Sequence, residues 1–168
     1  MKYEIKNRVS ESKLVTIDFY DFLKDLSIEE FDIKPWLKDD LVLIEKDFRK
    51  NVSNFNWSLL KGKNISIICS NSAIIPDWAF MLVSSELTRS GIENFIGNIK
   101  SYKEHLINLK INDFDLNSIA NKPVIIKGCS DDKFSKFIYS QLIQKIQGVV
   151  SSIMFGEACS SVPIFKKK

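Results

Sequence analysis

Three cysteines carry the clearest chemical signal in the sequence, and each is followed by a serine: Cys69-Ser70, Cys129-Ser130 and Cys159-Ser160. A reducing cytoplasm keeps such cysteines as thiols rather than disulfides. The thiolate is the form that binds a soft metal or attacks an electrophile. The chain has a single histidine, His105, which weakens a Cys–His mechanism. The cysteines therefore indicate either metal binding or thiol chemistry.

The elements that must position these cysteines alternate regularly after residue 63. Apolar, β-branched runs predict strands, and apolar residues at three- and four-residue steps predict helices. The predicted strands are 65–68, 94–97, 124–127 and 149–155, and the predicted helices are 76–90, 100–109 and 133–147. Strands that alternate with helices indicate βαβ units and a parallel sheet. We therefore expect a three-layer α/β fold with a mostly parallel sheet of βα units over residues 63–158.

The first 62 residues show a less regular pattern. Residues 14–19 and 31–35 predict short strands, the apolar run 41–44 has the length of a strand, and 45–54 predicts a helix. We interpret residues 1–62 as an N-terminal α+β extension that packs on the sheet. Together with the βα core at 63–168, it is expected to form a single domain over residues 1–168.

The predicted sheet explains how distant cysteines could meet. Cys69 and Cys129 come just after strands, and Cys159 lies in the loop after the last strand. The carboxyl ends of parallel strands share one edge, where open α/β sheets bind their ligands. Helix N-termini also begin at this edge and favour thiolate over thiol. The alternative is that the three cysteines are unrelated and pack as small apolar residues.

Three thiolates would leave one coordination position open. Soft sulfur ligands suit zinc or an iron–sulfur cluster. We predict Cys69, Cys129 and Cys159 as metal ligands, and the fourth ligand as Glu157, Asp131, Asp18 or a water. The predicted cofactor-binding residues around them are Asp18, Ser70, Ser130, Asp131, Glu157 and Ser160.

Composition restricts the class of protein. Of 168 residues, 45% are hydrophobic and 27% are charged, and 24 basic against 21 acidic residues leave a net charge of +3. This balance does not fit a dedicated nucleic-acid binder. No apolar run approaches the roughly 20 residues of a spanning helix, and the polar N-terminus lacks a signal peptide. We therefore expect a cytoplasmic protein that binds neither nucleic acid nor membrane.

Several segments across the chain resemble a bacterial family, domain of unknown function 2480, which is seen chiefly in Bacteroidetes. The segments that carry this resemblance are 16–18, 32–34 with 36–37, 45–49, 69–76, 78–82, 126–131 and 152–163. The resemblance implies a link to iron–sulfur cluster assembly, which favours a cluster over zinc and assembly proteins as partners. A homodimer is left open.

Three functions are consistent with these residues. The first is a metal or iron–sulfur protein with the three cysteines as ligands. The second is a metal-free thiol enzyme that uses one cysteine as nucleophile near Asp131 or Glu157. The third is a non-catalytic binding or scaffold module. No P-loop, dinucleotide-binding or nucleophile-elbow motif is present to identify a reaction.

If the metal interpretation is right, anaerobically purified protein will contain stoichiometric zinc or iron, because three thiolates bind these metals tightly. Elemental analysis measures the metal, and a brown chromophore reveals a cluster. The matched control replaces the three cysteines by serine and should lose the metal. Metal-free protein from both anaerobic and aerobic preparations would contradict this interpretation.

Overall fold

A computed structural model describes residues 14–24, 27–127, 134–157 and 159–168. The described strands are β1 Val15–Ile17, β2 Ile28–Asp32, β3 Asn64–Ile68, β4 Asn94–Ile96, β5 Pro123–Ile126, β6 Ser152–Glu157 and β7 Ser160–Lys166. The described helices are α1 Glu45–Asn54, α2 Asp77–Arg89, α3 Ile99–Asn112 and α4 Lys136–Ile146. Strand pairing is mostly parallel, which confirms a mixed α/β fold. Among these described helices, none has the length and apolarity needed to cross a bilayer.

The chain divides into two compact units, each with its own apolar core. Unit 1 contains the described parts of residues 1–24 and 104–168, and unit 2 contains those of residues 25–103. The core of each unit is built from residues of that unit alone. The two units are therefore described separately.

Unit 2 is a βαβαβ arrangement with the strand order β2-β3-β4. Right-handed crossovers between adjacent parallel strands place both connecting helices on one face of the sheet. Buried residues of α1 and α2 accordingly pack with Ile65 and Ile67, which point to the same face of β3. Helix α2 contributes Ala79, Val83 and Leu87 at four-residue spacing, which gives it one apolar stripe.

Unit 1 repeats this arrangement and adds one strand. Strands β1, β5 and β6 are parallel neighbours, and β7 pairs with β6 in the antiparallel sense. The core combines β5 and β6 with one side of α3 and of α4. Residues 25–103 lie between β1 and the unit 1 part of α3 in the sequence.

The two units also share a local motif at the end of the first strand. Asp18 follows β1, and its carboxylate accepts a hydrogen bond from the Tyr20 N–H at 2.9 Å. Asp32 ends β2 and accepts from the Lys34 N–H at 3.0 Å. Both are Asx-turns, in which a short side chain satisfies a backbone donor two residues on. A short 3-10 helix follows in each unit, Phe19–Leu23 after Asp18 and Lys34–Trp36 after Asp32.

The prediction of one sheet over residues 63–158 is wrong, because the described strands form two sheets. The strands assigned to the N-terminal extension are the reason. β1 pairs with β5 and β2 pairs with β3, so each extension strand belongs to a different sheet. The three-layer arrangement and the single domain stay predictions.

Two further strand predictions differ from the structure. The predicted strand 31–35 is displaced, because β2 ends at Asp32 and Lys34–Trp36 form a short 3-10 helix. The run 41–44 is not a strand, because Asp39 and Asp40 turn the backbone with φ of 52° and 59°, and Leu41 and Val42 are exposed. Cys159 lies in the turn that follows β6, in agreement with the predicted loop after the last predicted strand. Strand β7 was not predicted, because Pro163 interrupts the run 160–166 and proline is accepted only at a sheet edge or bulge.

We expect Leu87→Ala to lower the free energy of unfolding of unit 2 by about 2–5 kcal/mol, because it leaves a cavity in a fully buried position. Urea titration followed by tryptophan fluorescence measures this change, since Trp36, Trp57 and Trp78 all belong to unit 2. Leu59→Ala is the matched control, because Leu59 is exposed. Equal effects of the two substitutions would contradict the assigned core.

Candidate thiol site

The loop between β3 and α2, residues 69–76, begins at the carboxyl edge of the unit 2 sheet. Cys69 directly follows β3, the central strand. The neighbouring strand β2 ends beside it, since Asp32 pairs with Ile68 and the Ile33 N–H donates to the Ile68 carbonyl at 2.9 Å. Strand pairing therefore brings Asp32 next to the start of the Cys69 loop.

Asp32 anchors the beginning of this loop. One of its carboxylate oxygens accepts from the Ser70 N–H at 3.1 Å as well as from the Lys34 N–H. Burial raises the pKa of Asp32, but hydrogen bonds from the Ser70 hydroxyl and from both N–H groups, with the Lys34 charge, outweigh burial. The net effect lowers the pKa of Asp32, so the carboxylate is ionised at neutral pH.

Asn71 orients the thiol of Cys69. The thiol donates to Asn71 Oδ1 over 3.0 Å, and the same oxygen accepts from the Ala73 N–H at 3.1 Å. The Asn71 amide donates in turn to the Asp40 carbonyl. The Asp40 carboxylate forms an ion pair with Lys34 at 3.4 Å. Cys69 is half-buried, with one side against the unit 2 core. The thiol is thus held by a hydrogen bond within a residue that is partly exposed.

The other predicted site residues lie in unit 1 or outside the described residues. Asp18 makes the Asx-turn after β1 and contacts Lys127 at 3.9 Å. Glu157 and Ser160 pair across the β6–β7 hairpin, and Cys159 is exposed in its turn. Cys129, Ser130 and Asp131 lie outside the described residues. Among the predicted site residues, Ser70 lies in the same loop as Cys69, and Glu157 pairs with Ser160.

The described residues provide no group of three or more histidine, cysteine or acidic side chains that could hold a metal ion. Shared coordination requires the cysteines to meet at one sheet edge, whereas Cys69 follows a strand of one sheet and Cys159 lies in a hairpin of the other. The three-cysteine metal site therefore loses this support and stays a prediction.

The site residues predicted from the sequence do not include Asp32, Asn71 or Asp40. A usable signal existed for Asp32, since an aspartate at a strand end two residues before Lys34 is typical of an Asx-turn. Asn71 lies two residues after Cys69, which suits the same kind of local hydrogen bond. The role of Asp40 depends on a contact across 31 residues of sequence, which no local pattern reveals.

These features define a two-unit, mostly parallel α/β protein with a cysteine loop at the carboxyl edge of one sheet. A family model described as "Protein of unknown function (DUF2480)" matches residues 3–167. The chain therefore belongs to the DUF2480 family. No curated protein and no solved structure matches it.

Asp32→Asn retains an acceptor oxygen for the two N–H groups but removes the charge. Because folding lowers the pKa of Asp32, its ionised form contributes stability above the unfolded-state pKa of 3.8. We expect this contribution to disappear as the pH falls through the folded-state value. Urea titrations of wild type and variant at several pH values measure the difference in unfolding free energy.

The control for this experiment is Glu30→Gln, an exposed position on the same strand. The difference in unfolding free energy between Glu30→Gln and wild type should show no comparable change at acidic pH. If the difference in unfolding free energy between Asp32→Asn and wild type stays constant from neutral to acidic pH, the assigned hydrogen bonds are contradicted.

Proposed function

We propose that the protein is a thiol-dependent binding module in which Cys69 forms a reversible covalent bond with a soft electrophile. The observation that supports this proposal is the hydrogen bond from Cys69 to Asn71 inside a loop tied to Asp32 and Asp40. This loop begins at the carboxyl edge of a parallel sheet, where α/β proteins commonly place ligand-binding residues.

The polar groups around Cys69 suit slow, stoichiometric chemistry rather than fast turnover. Residues 25–103 contain no histidine that could act as a general base within unit 2. The Asp32 carboxylate is a weak base because its pKa is lowered. Asn71 accepts the thiol proton in a hydrogen bond but does not remove it. Attack therefore depends on the fraction of thiolate that forms in exchange with solvent.

Exchange with a small disulfide is the simplest step that this arrangement supports. The Cys69 thiol releases its proton to water, and the thiolate sulfur forms a bond to one sulfur of the disulfide. The sulfur–sulfur bond of the small molecule breaks, and its second sulfur leaves as a thiolate that takes up a proton. A free thiol reverses the step. The lone pair of the thiolate forms the new bond, and the electron pair of the broken bond leaves with the second sulfur. No further oxidant is therefore required.

The iron–sulfur or zinc site remains an alternative proposal, together with assembly proteins as partners. Both proposals need the Cys69 thiolate, but only the metal proposal needs Cys129 and Cys159 as well. Chelation separates them, because a metal-bound thiol becomes reactive only after the metal is removed. Under the thiol proposal, a chelator should leave the reaction rate of Cys69 unchanged.

A protein in which Cys69 is the only cysteine should form a mixed disulfide with oxidised glutathione while folded. We expect Asn71→Ala to accelerate this exchange by about three- to tenfold, because it removes the acceptor that holds the thiol proton in a hydrogen bond. Intact-protein mass spectrometry over time measures the rate.

A protein with Cys159 as its only cysteine is the matched control, and Asn71→Ala should leave its rate unchanged. Circular dichroism establishes that each variant is folded. If Cys69 reacts only after unfolding in urea, it is a packing residue and the proposal fails. If Cys69 of the wild-type protein, with all three cysteines present, reacts only after chelation, the metal proposal replaces the thiol proposal.

A further inference from the structure

An apolar cavity of about 230 Å³ lies in unit 1, between helix α4 and the sheet. Its lining residues are Ile126, Tyr139, Ile143, Phe155 and Ile164. Ile126 ends β5 and Phe155 lies near the end of β6, so the floor is at the carboxyl side of two parallel strands. Tyr139 and Ile143 are one turn apart on α4 and form the opposite wall.

A β-bulge supplies the remaining wall. Ile153 pairs with Phe165, whereas the next residue, Met154, pairs with Pro163, so Ile164 is the extra residue on β7. Bulges redirect a side chain and occur frequently next to binding sites. Here the bulge places Ile164 on the cavity while leaving it 54% exposed. The cavity is therefore open to solvent along the outer strand of the sheet.

Water is a poor occupant of this cavity. A buried water needs two to four polar partners, and the hydroxyl of Tyr139 is the only polar side-chain group among the five lining residues. Burial, with a smaller effect of Tyr20, raises the pKa of Tyr139, so the lining stays uncharged through the physiological range. Covering apolar surface that is open to water is favourable. The cavity thus favours an uncharged, apolar occupant.

We propose that unit 1 binds a small molecule through an uncharged, ring-sized hydrocarbon group that fills the cavity between α4 and β5–β7. Size supports this class of ligand, since an apolar cavity of about 150 Å³ already accepts benzene. The cavity in unit 1 is larger, which leaves room for one or two fused rings. Its volume is too small to enclose a peptide helix, which has a diameter of about 10–12 Å with its side chains. This site is separate in sequence and chemistry from the Cys69 loop and does not depend on the proposed thiol function.

Toluene and indole are the probes for this proposal, and benzoate is the charged comparison. At about ten times its dissociation constant, a probe that binds only the folded state should raise Tm by about 3–6 °C. We expect saturable shifts with toluene or indole and a much weaker effect with benzoate. Saturation-transfer NMR on the full chain tests contact with the protein independently of stability.

Ile164→Trp should fill the cavity from its exposed side and abolish both signals. Val162→Trp is the matched control, because Val162 is also exposed on β7 but does not line the cavity. Ile143→Ala enlarges the cavity and should shift preference from toluene toward indole. Circular dichroism shows whether each variant is folded.

Absence of binding by all probes to the wild-type chain would overturn the proposal. So would equal binding by wild type and folded Ile164→Trp, because the probes would then occupy another surface. Equal shifts with benzoate and toluene would contradict an uncharged apolar site.

Discussion

Parallel pairing between the first strand and the central strand is the interaction on which each unit depends. In unit 1 it joins β1 to β5, and in unit 2 it joins β2 to β3. Each pairing buries strand residues against two helices and also places an aspartate, Asp18 or Asp32, at the carboxyl edge. Without this pairing, Asp32 could not hold the Ser70 N–H, and the loop that carries Cys69 would lose its anchor.

The two proposed sites use opposite physical properties of similar scaffolds. In unit 2, polar side chains satisfy backbone donors and keep a thiol partly exposed at the sheet edge. In unit 1, an added antiparallel strand extends the sheet beyond α4 and leaves an apolar space beneath its bulge. The shared βαβαβ arrangement therefore supports a polar loop in one unit and an apolar cavity in the other. Both proposed functions depend on these local additions rather than on the common architecture.

Helices were the most predictable part of the fold. The period of the apolar residues and the charged ends of α1 and α2 are local signals, and the predicted bounds of these two helices agree with the structure to within one residue. The other two agree less closely, since α3 extends to Asn112 rather than 109 and α4 begins at Lys136 rather than 133. Strands were less predictable. The run 41–44 is apolar but exposed, since two aspartates with positive φ turn the chain before it. Strand β7 carries Pro163 and an irregular register, so its alternation is weak.

The amino-acid sequence by itself determined the residue types available for chemistry, the helices and the position of Cys69 directly after a strand. These properties depend on neighbours within a few residues. Only the tertiary structure decided that the strands form two sheets, that Asp32 and Asp40 hold the Cys69 loop, and that Ile164 lines a cavity. Strand pairing depends on the free energy of burying distant segments together, and periodicity does not encode which segments those are.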